Sequence, residues 1–167
     1  MNSFELLTFL DVIRLIPLTI IFLYAGWQDH KTGEVKNKTW LYTLIGCPIM
    51  LIQTITLAPN MLPIIILSAI VCIIIAYMLF KINFKIGNLT LKGWGGADTK
   101  ALIMLAACYP IAPAYLAWIP LFPTLIFGVA ALIGSAIMLI KNKTEIRFLP
   151  YVALILTLTP LLQIFTQ

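Results

Sequence analysis

The chain has 167 residues, of which 62% are hydrophobic and 10% are charged, and its mean hydropathy is +1.04. Soluble domains carry about 25% charged residues, so this composition excludes a soluble globular protein and indicates a polytopic membrane protein. The net charge of +5 could point to nucleic acid, but in a membrane protein it is better explained by the distribution of basic loops. The length suits a single transmembrane domain over residues 1–167.

Six apolar segments are candidates for membrane-spanning helices, since a span needs about 20 mostly apolar residues and fewer where it ends in a polar cavity. In chain order the predicted spans are residues 10–26, 40–58, 62–80, 99–109, 121–140 and 149–165. Prolines 110, 113, 120 and 123 remove backbone donors and disfavour a continuous helix between the fourth and fifth spans. We therefore predict an all-α fold with about six transmembrane helices.

Basic residues are concentrated in alternate loops of this arrangement. Ten of the eleven lie in or beside the first, third and fifth loops: Lys31, Lys36, Lys38, Lys81, Lys85, Lys92, Lys100, Lys141, Lys143 and Arg147. Lys and Arg in short loops mark the cytoplasmic side, so both chain termini are predicted to be extracytoplasmic. Trp27, Trp40 and Trp94 flank these loops, as aromatic residues at a membrane interface do.

This topology brings two of the six acidic residues to the same cytoplasmic edge. Asp29 follows the first span and Asp98 precedes the fourth. Asp11 is predicted at the opposite edge, because eighteen helical residues separate it from Asp29 by roughly 27 Å. The simpler interpretation is that Asp98 caps a helix N-terminus and that Asp29 is a solvated loop carboxylate or pairs with Lys31.

Several charged neighbours also allow two interpretations. Asp11 and Arg14 are three residues apart on one helix face, which favours a local ion pair. His30 either orients Asp29 or has only an interfacial role. Lys100 either interacts with Asp98 or extends to the lipid headgroups.

A functional interpretation joins the two aspartates in a catalytic dyad. Two carboxylates a few Å apart share a proton, since they do not both ionise easily. One then activates water as a general base, while the protonated one polarises the scissile carbonyl. The pair titrates as a unit, so the sequence does not assign base and acid to individual residues. Gly95 and Gly96 precede Asp98 and would let backbone or substrate approach closely.

Other kinds of site find no support in the sequence. Cys47, Cys72 and Cys108 are widely spaced in apolar runs and form no CxxC pair, and His30 is the only histidine. These are too few ligands for a usual zinc site, and no phosphate-binding GxxxxGK[ST] motif occurs. We therefore predict neither a metal nor another cofactor.

Three motifs resemble those of one known family. "GGADTKAL", residues 95–102, resembles the second-aspartate motif of the type IV prepilin peptidases, which are GxGD membrane aspartic proteases. "DHKTGEVKNKTW", residues 29–40, is similar to the first-aspartate segment, and "RFLPYVAL", residues 147–154, to the start of the last span. Ala97 stands where the general motif has glycine, a form similar to the archaeal branch that includes preflagellin peptidases.

The resemblance implies a function and a set of site residues. Asp29 and Asp98 would be catalytic, with motif-supporting roles for Asn37, Gly95, Gly96, Ala97 and Lys100. The implied reaction is cytoplasmic-face cleavage of the leader peptide from type IV pilin-like or archaellin-like precursors at the cell membrane. Nothing matches the methyltransferase region of bifunctional members, so proteolysis without methylation is expected.

The sequence gives less support to two other functions. A small transporter would be expected to have acidic residues near the middle of the membrane, and often two homologous halves. Neither feature is seen in the sequence. A non-catalytic assembly factor of a filament or secretion system would not need both aspartates. The sequence does not indicate an oligomeric state.

Overall fold

The computed structural model describes residues 3–81, 84–86, 89–91, 96–108, 122–141 and 147–165. In these ranges the α-helices are α1 (Ser3–Thr32), α2 (Thr43–Leu57), α3 (Leu62–Lys81), α4 (Gly96–Ala107), α5 (Phe122–Lys141) and α6 (Leu149–Phe165). Two 3-10 helices, Asn37–Tyr42 and Pro59–Met61, precede α2 and α3. A helix therefore forms at each of the six predicted spans, and the helical fold of the bundle is confirmed.

One short element was not predicted. The polar stretch between α3 and α4 contains two antiparallel strands, β1 (Phe84–Ile86) and β2 (Leu89–Leu91), with Phe84 paired to Leu91 and Ile86 to Leu89. The local sequence favours this ribbon, because apolar and polar residues alternate on both sides of the two intervening residues, Gly87 and Asn88. The all-α fold class is therefore confirmed for the bundle, and this short ribbon is an addition that the prediction did not include.

Within the described part of the chain, three helical stretches are long and apolar enough to cross a membrane: Glu5–Thr32, Asn37–Leu57 and Pro59–Met78. Pro123–Ile137 and Leu149–Leu158 are shorter apolar helices. Large apolar side chains such as Leu44 and Leu132 are exposed, as expected for a bundle that faces lipid. The count of six spans and the orientation of the termini stay predictions.

The helix α1 organises the bundle. It packs along α6, while α3 packs against α4, and α5 against α6. Its inward stripe repeats every three or four residues and includes Leu15, Leu18, Phe22 and Ala25. At Gly26 the two backbones come so close that an added Cβ would lie 3.0 Å from the Cα of Pro150. This contact sets α6 directly beside the last two turns of α1.

The ion pair predicted between Asp11 and Arg14 is confirmed. Arg14 Nη2 lies 2.9 Å from Asp11 Oδ1, and both side chains are almost fully buried. Gln53 of α2 completes the cluster, since it accepts a bond from Arg14 Nη1 at 2.6 Å and donates one to Asp11 Oδ1 at 3.0 Å. The pair is therefore an inter-helical junction inside the bundle as well as a local contact on α1.

Candidate active site

Asp29 lies in the last turn of α1, on the inward face of the helix, and is only 9% exposed. Eighteen residues are five turns of an α-helix, so Asp29 repeats the inward position of Asp11 at the other end of the same stripe. The helix continues to Thr32, six residues beyond the predicted end of the first span. The interpretation of Asp29 as a solvated loop carboxylate is therefore wrong.

The turn after Asp29 ends the helix through a left-handed glycine. Gly33 has a φ of 74°, and its N–H donates to the carbonyl oxygen of Asp29 at 2.9 Å. This is the αL motif of helix C-termini, in which glycine avoids the steric penalty of a Cβ. The sequence Thr-Gly-Glu after the basic residues thus fixes where α1 stops.

Gln28 holds the following segment against the end of α1. Its side-chain oxygen accepts bonds from the backbone N–H of Lys36 at 3.4 Å and from the hydroxyl of Thr39 at 3.1 Å. Trp40 is buried and packs edge-on against Phe22, with ring centroids 6.0 Å apart. The 3-10 helix Asn37–Tyr42 is therefore attached to α1 by a hydrogen bond at Gln28 and by an aromatic contact at Phe22. Nothing in the local sequence around Gln28 indicates this role.

Asp98 lies in the first turn of α4 and is half-buried. Gly96 begins the helix, is exposed, and an added Cβ there would meet none of the described atoms within 4 Å. Ala97 is partly buried and packs against the hydrophobic core. Of the predicted motif residues, Gly95 lies outside the described part of the chain. An acid in the first helical turn suits the helix dipole, so the local cap interpretation and a catalytic one remain compatible.

A side-chain contact joins the two aspartate-bearing segments. Lys100 Nζ donates to Asn37 Oδ1 at 2.5 Å. Lys100 is two residues beyond Asp98, and Asn37 begins the 3-10 helix that Gln28 attaches to α1. Asp29 and Asp98 therefore lie at the same end of the bundle, as predicted from the topology. Of the two interpretations of Lys100, the structure supports neither directly, because its ammonium binds Asn37.

Arg147 binds the backbone of the last turn of α1. Its Nη1 donates to the carbonyl oxygen of Asp29 at 2.8 Å and to that of His30. His30 itself is exposed and takes part in this contact through its backbone. The sequence indicates Arg147 as a loop charge and as the first residue of the motif at the start of the last span, but not as a partner of Asp29, which is 118 positions away.

The described residues contain no group of three or more His, Cys, Asp or Glu side chains that could hold a metal ion. The three cysteines are free thiols, and Cys108 packs against α2 near Gly46. The described site offers carboxylates, amides, the ammonium of Lys100 and the guanidinium of Arg147.

Comparison with known proteins places the chain in a family. The model of the type IV leader peptidase family matches residues 16–140, which is well over half of the chain. The chain belongs to the type IV leader peptidase family. The matched range includes Asp29, Asn37 and Asp98, whereas Arg147 lies beyond it. No curated protein and no solved structure matches the chain significantly.

Membership gives this leader peptidase a protease activity on type IV pilin-like precursors. Together with the apolar helices, it makes the chain a multi-pass membrane protein. The resemblance seen in the motifs around Asp29 and Asp98 is thus confirmed at the level of the family.

Proposed function

We propose that the chain is an aspartic endopeptidase of the GxGD type in which Asp29 and Asp98 form the catalytic pair. It removes the leader peptide from pilin-like or archaellin-like precursors at the cytoplasmic face of the cell membrane. The observation that carries the proposal is the Lys100–Asn37 bond, because it ties the start of α4 to the segment that follows Asp29. The same bond gives Asn37 and Lys100 a supporting role.

The surroundings of the two acids suit this chemistry. Asp29 is buried at the end of α1, whereas Asp98 is half-buried beside an exposed Gly96. Gly96 is exposed and no described atom lies within 4 Å of a Cβ placed there, which would suit the approach of an extended peptide backbone and water next to Asp98. Carboxylates in such different environments are a common basis for separate acid and base roles.

The reaction then follows the general aspartic mechanism. One carboxylate takes a proton from water, and the resulting hydroxide attacks the carbonyl carbon of the scissile peptide bond. The other carboxyl group donates its proton to the carbonyl oxygen, which gives a neutral tetrahedral diol. The leaving nitrogen receives the proton that the pair now holds, one hydroxyl of the diol returns its proton to a carboxylate, and the C–N bond breaks to give the amine and the carboxylic acid product. The two acids thus end with the single proton that they shared at the start.

The substrate class fits the position of the pair at one end of an apolar bundle. A precursor with a basic leader and an apolar helix would lie with its helix in the lipid beside the bundle. Its cleavage site would then be at the interface, at the level of Asp29 and Asp98. The Gly-Gly-Ala-Asp motif favours an archaeal pilin or archaellin as substrate.

Processing of a co-expressed precursor tests the proposal. The full chain is compared with Asp29→Asn and Asp98→Asn, and gel mobility separates precursor from mature product. Both substitutions are expected to abolish processing, because each removes a carboxyl group of the dyad while preserving its shape. Glu34→Gln is the matched control, since Glu34 is an exposed acid five residues from Asp29, and it should leave processing intact.

Either of two results would overturn the dyad. Processing that survives Asp98→Asn would exclude Asp98 as a catalytic group. Inhibition of the purified protein by a chelator would point to metal-dependent hydrolysis instead.

A further inference from the structure

Arg147 lies where the start of α6 meets the end of α1. It is two residues before α6 and is half-buried. Its guanidinium donates to the backbone oxygens of Asp29 and His30, and its Nη2 would be 3.6 Å from a Cβ placed on Gly33. The side chain therefore covers the C-terminal cap of α1.

A guanidinium in this position stabilises the end of α1 and the acid that it carries in two ways. The final carbonyl groups of a helix have no partner inside the helix. They also carry a partial negative charge, which makes the C-terminus unfavourable for an acid. The guanidinium beside Asp29 supplies hydrogen-bond donors to these carbonyl groups, and its positive charge offsets their partial negative charge.

The planar shape of the guanidinium adds a geometric constraint. Arg147 bonds two successive carbonyl oxygens, and the oxygen of Asp29 also accepts the Gly33 N–H at 2.9 Å. Both bonds come from Nη1, whose two N–H groups have fixed directions in the guanidinium plane, so together they restrict rotation of the turn more than a single charge would. Together these bonds hold the backbone from which the Asp29 side chain extends.

Comparison with Lys31 shows that Arg147 makes contacts at the end of α1 that another basic residue at this end does not make. Lys31 lies at the same helix end but is exposed, with its Nζ 5.1 Å from the ring centroid of Trp27. Arg147, in contrast, donates hydrogen bonds to the turn itself. The two residues therefore offer a matched comparison of equal charge loss.

We propose that Arg147 is a positioning residue for the peptidase reaction, which orients Asp29 by anchoring the last turn of α1 to the start of α6. This inference rests on the proposed role of Asp29. Arg147 does not touch the substrate in this scheme. Its loss should therefore lower kcat and leave KM nearly unchanged.

Steady-state kinetics of the purified full chain with a pilin-like precursor test this role. Thermal unfolding of the same preparations gives the folded fraction to which kcat is normalised. Arg147→Gln is expected to lower kcat about 10- to 100-fold, since a small misplacement of a reacting group has effects of this size, while KM changes less than about twofold. Arg147→Lys should fall between, because it keeps the charge but loses the planar guanidinium with its fixed N–H directions.

The controls separate the possible failures. Lys31→Gln should retain the wild-type kcat, and an equal loss there would overturn the inference in favour of a general charge effect. An inactive Asp29→Asn together with a wild-type kcat for Arg147→Gln would overturn the positioning role alone. A fully active Asp29→Asn would instead overturn the proposed function. If Arg147→Gln does not fold, a wild-type kcat for Arg147→Lys overturns the inference and a several-fold loss supports it.

Discussion

Lys100 of α4 binds Asn37 at 2.5 Å across 63 residues of sequence. Both side chains are exposed, so the bond contributes little to global stability, as is usual for charged contacts in solvent. Its importance lies in what it connects. It joins the turn that carries Asp98 to the segment that Gln28 holds against the end of α1.

We predict that breaking this bond lowers activity without unfolding the protein. Asn37→Ala and Lys100→Met should each reduce kcat/KM about tenfold, because a displacement of α4 near Asp98 disturbs the alignment of the pair. The double variant should be no worse than either single one, which a double-mutant cycle on the processing rate would measure. Lys38→Met, an exposed lysine of the same 3-10 helix, should retain full activity. Additive losses in the cycle would mean that the two residues act independently.

We predict a large stability effect at the buried Asp11–Arg14–Gln53 cluster. Asp11→Leu should destabilise the protein by about 3 to 5 kcal/mol, since it leaves the Arg14 charge buried without its partner. Replacing all three residues, as Asp11→Leu, Arg14→Met and Gln53→Leu, should recover most of the loss because no unpaired polar group then remains. Thermal unfolding in detergent measures both variants. A triple variant as unstable as Asp11→Leu would show that the cluster has a role that apolar packing cannot replace.

We predict opposite effects of alanine at two exposed glycines. Gly33→Ala should destabilise the protein by about 1 to 2 kcal/mol, because a φ of 74° is strained for any residue with a Cβ. Gly128→Ala, within α5 and with no described atom within 4 Å of the added Cβ, should stabilise it by about 0.5 to 1 kcal/mol. Thermal midpoints of the two variants provide the comparison. An equal midpoint for Gly33→Ala and wild type would indicate that the turn after α1 relaxes to another conformation.

Local patterns in the sequence account for much of the fold. Apolar runs of span length predict the six α-helices of the described ranges, and a spacing of three predicts the Asp11–Arg14 pair. A local pattern also favours the ribbon between α3 and α4, because apolar and polar residues alternate on both sides of Gly87 and Asn88. Hydrophobic periodicity did not predict that α1 continues to Thr32. Residues 28–32 are polar and resemble a loop, since the sequence does not show which other segments bury Gln28 and Asp29.

Contacts across the bundle were decided only by the tertiary structure. The sequence by itself determined a polytopic helical protein with two aspartates brought to one end by the loop charges, and the motifs pointed to the family. The partners of those aspartate segments lie far along the chain: Asn37 beside Lys100, and Arg147 on the backbone of Asp29. Hydrophobic periodicity reports which face of a helix is buried, but it does not report which helix covers that face. For this reason the role of Arg147 at the end of α1 could be identified only from the packing of α6 against α1.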